Sequence, residues 1–80
     1  MARYFFNLYE CGALTPDVEG EEFDDLDAVR ETAIRLARGI MAGEITAGRL
    51  CLLCRIEVAD EAGAVVMEVP FRDTVVVTGL

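Results

Sequence analysis

The eighty residues contain no histidine, no lysine and no serine. Without His the chain lacks the commonest general base near neutral pH and the commonest metal ligand. Without Lys it can form no Schiff base, and its Thr hydroxyls have no imidazole to activate them. Catalysis would otherwise need two carboxylates held at different pKa values inside a pocket. One helix over a small sheet leaves little room for one. The sequence therefore reads as non-enzymatic, with no catalytic residues, no metal site and no cofactor. No stretch approaches the roughly 20 apolar residues of a membrane span. The opening Met1-Ala2-Arg3-Tyr4-Phe5-Phe6 has neither the basic region nor the cleavage signal of an export sequence. Three Cys with no export signal point to a reducing cytoplasm.

Apolar residues make up 54% of the chain and charged residues 28%, the balance of a folded domain, and the length fits one domain spanning residues 1–80. Seven basic against fifteen acidic residues leave a net charge of −8. That charge repels phosphate backbones and anionic lipid, so neither nucleic acid nor membrane is an expected partner. All seven cations are Arg, whose planar fork suits carboxylates.

One long amphipathic helix is expected from Asp24 to about Ala47. Leu26, Val29, Ala33, Leu36, Ala37 and Ile40 fall on one stripe at 100° per residue, widened by Ile34, Met41 and Ile45. Glu31 and Arg35 stand at ion-pair spacing on the opposite face. Gly39 and Gly43 weaken the last turns, and Gly48 is a candidate left-handed stop. The remainder is strand-like. Arg3 to Tyr9 alternates, with Tyr4, Phe6 and Leu8 as its core face. Thr15-Pro16-Asp17 reads as a loop, and Glu21 to Phe23 as a short strand. Leu50 to Ala59 forms the clearest strand, with Leu52, Cys54, Ile56 and Val58 inward. After a turn at Asp60 to Gly63, Ala64 to Phe71 returns with Val65, Met67, Val69 and Phe71 inward. Thr74 to Thr78 is β-branched and extends the pattern to a possible last strand. The fold expectation is α+β in two layers, β-β-α-β-β, with one helix across a mostly antiparallel sheet. The expected strand order is 2-1-3-4, with the aromatic first strand central.

These residues resemble a family of small bacterial domains of unknown function. Its pattern is an R-Y-F/Y-F strand, a D-x-E-G turn, a helix opening D-L-x-A, then G-R-I-E-V-x-D-E-x-G-x-V-V and V-P-F-R-D. Here the elements are Arg3 to Phe6, Asp17 to Gly20, Asp25 to Ala28, Arg55 to Val66 and Val69 to Asp73. The sequence departs from the pattern at Cys54, where a small residue is expected, and at Asn7. The resemblance covers nearly the whole chain and brings no assigned activity or site residue with it.

Three constellations carry any chemistry. Seven carboxylates lie among the eleven residues from Asp17 to Asp27. A calcium loop would need Gly sixth and Glu twelfth, but Gly20 stands fourth, so capping and solvation explain them better. Cys51 and Cys54 have the spacing of a redox or zinc pair. Residues three apart on a strand point to opposite faces, however, and with only Cys11 remaining they read as structural. Arg72-Asp73 is a polar pair in an apolar setting, either an anion-holding fork or an Arg paired with a neighbouring acid at a bulge. The functional expectation is a non-catalytic cytoplasmic interaction or regulatory module, acting on an unidentified protein partner or on itself. The alternative is a small-molecule or anion binder using Arg72 and nearby arginines. Val75, Val76 and Val77 form the expected interaction edge. Phe5, Tyr9, Leu53 and Val66 would add an apolar patch on the helix-free face.

Overall fold

A computed structural model describes residues 1–10 and 12–80. Cys11 lies outside the described residues, and so does any part it has in the cysteine reading. Among the described residues the order is β1 (Ala2–Glu10), β2 (Ala13–Thr15), β3 (Glu21–Phe23), α1 (Leu26–Thr46), β4 (Arg55–Ala59), β5 (Val65–Pro70) and a 3-10 turn (Phe71–Thr74). The sheet is antiparallel, in the order β2-β1-β4-β5 with β3 also on β1. The expected 2-1-3-4 arrangement is recovered with the aromatic strand central, and β2 is added where only a loop was expected. One edge of β1 is shared. Ala2, Arg3 and Tyr4 pair with β3, and Leu8, Tyr9 and Glu10 pair with β2.

The helix starts where the Asp25 side chain accepts the Ala28 N–H at 2.8 Å, and Asp27 sits in its first turn. At its end the Gly48 N–H reaches Ile45 O at 2.9 Å and the Arg49 N–H reaches Glu44 O at 3.0 Å. With Gly48 at φ +88° this is a Schellman cap. Val29, Ala33, Ala37 and Met41 form its buried line. The two small Ala side chains let the helix lie close on Ile56 and Val58 of β4, each fully buried and each contributing about 1.5–3 kcal/mol. Phe23 closes the N-terminal end of this core with its ring edge-on to Phe6 at 5.7 Å. The sheet is narrower than the apolar stripe. Leu26, Leu36 and Ile45 therefore remain substantially exposed on the flanks of the helix. The i,i+4 pair expected of Glu31 and Arg35 is not among the ion pairs of the described residues.

Gly39 and Gly43 lie inside the helix with open space where a Cβ would stand. Gly39→Ala and Gly43→Ala should each stabilise the fold by about 1 kcal/mol. Each should raise Tm by roughly 5 °C in a thermal melt followed by circular dichroism.

Three strand expectations are corrected. Leu50 to Cys54 is irregular, so β4 begins only at Arg55. A register shift beside Val58 and Ala59 turns Val65 outward, although Met67 and Val69 remain in the core. No strand forms over residues 74–78. The last rung is the Phe71 N–H to Cys54 O at 3.0 Å. The chain then winds into the 3-10 turn because the fully buried Phe71 ring is anchored under the helix. Thr74 Oγ1 donates to Phe71 O at 2.8 Å, and Arg38 Nε donates to Thr74 O at 2.7 Å, carrying residues 75–80 along the helix rather than along the sheet.

The helix-free face is divided by charge. Glu57 and Glu68 stand directly opposite each other, and Arg55 lies between them, 3.0 Å from Glu57 and 3.7 Å from Glu68. Its guanidinium also covers the Tyr9 ring at 4.2 Å. Phe5 and Tyr9 are half-buried and separated by Asn7, so the expected apolar patch is interrupted there.

Candidate functional site

The loop between β2 and β3 is built from the acidic turn. Where β1 is covered by neither short strand, the Phe6 N–H donates to Asp17 Oδ2 at 3.1 Å. Asp17 Oδ1 accepts the N–H groups of Glu19 and Gly20, both at 3.2 Å, and the Asp17 N–H donates to Asn7 Oδ1 at 3.0 Å. One carboxylate thus completes the ladder in the gap between β3 and β2. Partial burial acts to raise the Asp17 pKa, and the backbone donors of Phe6, Gly20 and Glu19 outweigh it, holding the group below the usual carboxylate value. Gly20 has φ +69°, and a Cβ there would stand 2.9 Å from Tyr4 O. Arg3 crosses the same turn, donating to Glu19 O at 2.8 Å and lying 3.8 Å from Glu22. Sequence reading placed Asp17 with the solvated acids. Asn7, its partner ten residues away, was the available signal.

A folded-state pKa below the unfolded one means that the unfolded chain binds more protons in acid, so this contribution to stability rises with pH. It is fully present above the unfolded Asp pKa and is lost as pH falls through the lower folded one. Asp17→Asn should cost about 2 kcal/mol at pH 7, because an amide cannot accept the Phe6 N–H and the Gly20 and Glu19 N–H groups equally well. Urea unfolding between about pH 2 and pH 6 should show a shallower rise of stability with pH in the variant than in the parent.

Two clefts flank α1 because its apolar stripe overhangs the sheet. One, of about 560 Å³, lies between the Thr32, Leu36 and Ile40 side of the helix and the Pro16 to Glu21 loop. The other, of about 410 Å³, lies between Met41, Ala42 and Ile45 on the helix and the segment Val75 to Thr78, with Leu50 at one end and Arg38 at the other. Val76 is 91% exposed and Ile45 59% exposed. Among the described residues no carboxylate lines this second cleft. The structure brings Val75, Val76 and Val77 together here as one wall of a cleft rather than as the open edge of a strand. Ile45 and Leu50 were read from sequence as part of the helix stripe and the start of a strand, so their convergence was not visible.

Arg72 and Asp73 lie exposed in the 3-10 turn, and neither makes an ion pair among the described residues. The bulge and the acid partner expected for Arg72 are replaced by this turn. Cys54 is buried and Cys51 half-buried against the core, both in the irregular segment ahead of β4, so the strand argument for opposite faces does not apply to them. Among the described residues no three His, Cys, Asp or Glu side chains are grouped to hold a metal ion, and no helix is long and apolar enough to cross a membrane. Glu44 Oε1 is buried without a hydrogen-bond partner, while its other oxygen stands 4.0 Å from Arg49 Nε.

In comparisons with known proteins, a family model described as Domain of unknown function (DUF6894) matches residues 3–72. No curated protein matches the chain, and no solved structure does.

Proposed function

The chain belongs to the DUF6894 family, and from that premise we propose that it is a small non-catalytic interaction module of the bacterial cytoplasm, docking a protein through the cleft between the C-terminal half of α1 and residues 75–78. The observation that carries this reading is the collection of solvent-exposed apolar side chains around that cleft: Ile45, Leu50, Val76 and Val77. Groups of this kind bind by leaving water, at about 25 cal/mol per Å² removed, and not by moving protons. Strand addition at the sheet edges is the weaker route. Glu68, Pro70 and a register shift lie along β5, and the opposite edge is split into two strands of three residues. The test is a photo-crosslinking residue in place of Val76, with Glu61 in the exposed hairpin turn as the control, introduced in native cells. A discrete adduct from position 76 that disappears when Ile45→Glu is added is expected. Equal adducts from both positions, or none from position 76, would remove the proposal.

A second reading, binding of a small anion, is supported by Arg72 standing exposed with no ion pair among the described residues of an acidic chain. Under that reading phosphate or a dicarboxylate raises Tm saturably, and Arg72→Ala abolishes the rise.

A further inference from the structure

We infer that the occupant of the cleft is a second copy of this chain, presenting the loop around Val18; the inference rests on the docking reading above and names its partner. On one side of the molecule Val18 is 83% exposed at the tip of the β2–β3 loop, held out by the hydrogen bonds of Asp17 beneath it. Glu19 and Glu21 flank it, exposed and without ion pairs among the described residues. This is an apolar knob with two unpaired carboxylates beside it, and Arg3 crosses the turn on the side of Glu19 O and Glu22. On the other flank of α1 the cleft is apolar and, among the described residues, is lined by Arg38 and by no carboxylate; the neighbouring depression that Arg38 also lines holds Arg35 together with Glu31. The two surfaces are both apolar at their centres and opposite in sign beside them, Glu19 and Glu21 at the knob and Arg38 at the cleft. The cleft is also a stretch of surface without acid on a chain whose net charge is −8.

Charge also decides the symmetry. A two-fold contact of cleft against cleft would set Arg38 against its own copy. A head-to-tail contact sets Arg38 against Glu19 and Glu21 instead. Two copies still repel as whole bodies. At about 0.15 M salt the Debye length of about 8 Å screens that long-range repulsion, while pairs in contact are screened far less. Association is therefore expected to tighten as salt rises from very low values and to loosen again at high salt. Because knob and cleft are different surfaces, a head-to-tail pair keeps one knob and one cleft unsatisfied, and the assembly grows into a ring or an open string.

The experiment is sedimentation velocity on the full chain at about 50 µM and about 0.15 M salt, with Val18→Arg and Ile45→Glu, both at exposed positions, verified as folded by circular dichroism. The parent is expected to associate beyond a dimer, and each variant alone to be monomeric. An equimolar mixture of the two variants should form a 1:1 dimer and nothing larger, since one intact cleft meets one intact knob. A monomeric parent overturns the inference, and so does association that survives Val18→Arg. Failure of the two variants to complement each other overturns it as well. A monomeric parent that still gives the Val76 adduct with another protein leaves the docking reading standing, so the two fail separately.

Discussion

Phe71→Ala is expected to unfold this protein or leave it barely folded. The ring is fully buried at the junction of β5, the 3-10 turn and the helix, and its backbone N–H makes the last rung to Cys54 O. Truncating a buried Phe removes its transfer free energy and leaves a cavity, together about 3–5 kcal/mol. A domain of this length has about 4–12 kcal/mol in total. The loss also spreads, because Thr74 and its bonds to Phe71 O and Arg38 set the path of residues 75–78 along the cleft. Urea unfolding followed by circular dichroism should show the midpoint falling by half or more, whereas Val76→Ala, at an exposed position, stays within about 0.5 kcal/mol of the parent. A Phe71→Ala midpoint near the parental one would show that the ring is not the anchor described.

Gly20→Ala is expected to be the most costly of the Gly→Ala changes. A left-handed backbone charges an L-residue about 1–2 kcal/mol, and overlap in a packed site adds a further 1–3 kcal/mol or so. The first part applies equally at Gly63, at φ +84°, where a Cβ meets nothing within 4 Å. The second applies at Gly20, where the Cβ would stand 2.9 Å from Tyr4 O and 2.9 Å from Phe5 Cε1. Backbone cannot swing aside as a side-chain tip does. Gly20→Ala should therefore lose about 3 kcal/mol and Gly63→Ala only about 1 kcal/mol, measured side by side by urea unfolding. Equal losses at the two positions would mean that the close approach to Tyr4 carries no energy.

Much of this fold was legible because its strongest periodicities coincide with what is buried. The i,i+4 line of Val29, Ala33, Ala37 and Met41 and the Gly48 stop needed only local rules, while local rules left the cap open between Asp24 and Asp25 and the fold places it at Asp25. The alternation of Ile56 and Val58 against Met67 and Val69 defined a hairpin whose turn falls at Asp60 to Gly63 as expected, with Gly63 at φ +84°; Asp60 Oδ1 further closes it by accepting the Ala62 and Ala64 N–H groups at 2.9 and 3.0 Å. What escaped depends on distant contacts. The valines of 75–77 have strand propensity, but the anchoring of Phe71 four residues earlier sends them elsewhere. Val65 alternates correctly in sequence, and a bulge cancels the alternation. Asp17 is one of seven acids in a row of eleven residues, and composition cannot distinguish the one that accepts three backbone N–H groups from six that face water or cap a helix. The cleft was illegible for a similar reason. Its walls come from the end of the helix, the connection to β4 and the segment after the 3-10 turn, each of which looked like part of another element.

The central place of β1 sets a kinetic problem. Its pairs with β4 run from Phe5 with Ala59 to Tyr9 with Arg55, so the chain must close a loop of roughly fifty residues before the sheet has a middle. The helix lies inside that loop. Once formed, its 21 residues span only about 31 Å as a rod instead of wandering as coil, and helices form in under about a microsecond. The helix therefore serves as a strut that shortens the search by which β4 finds β1. Alanines at positions 39 and 43 should for that reason act chiefly on the folding limb of a chevron plot, accelerating refolding and leaving the unfolding rate nearly unchanged.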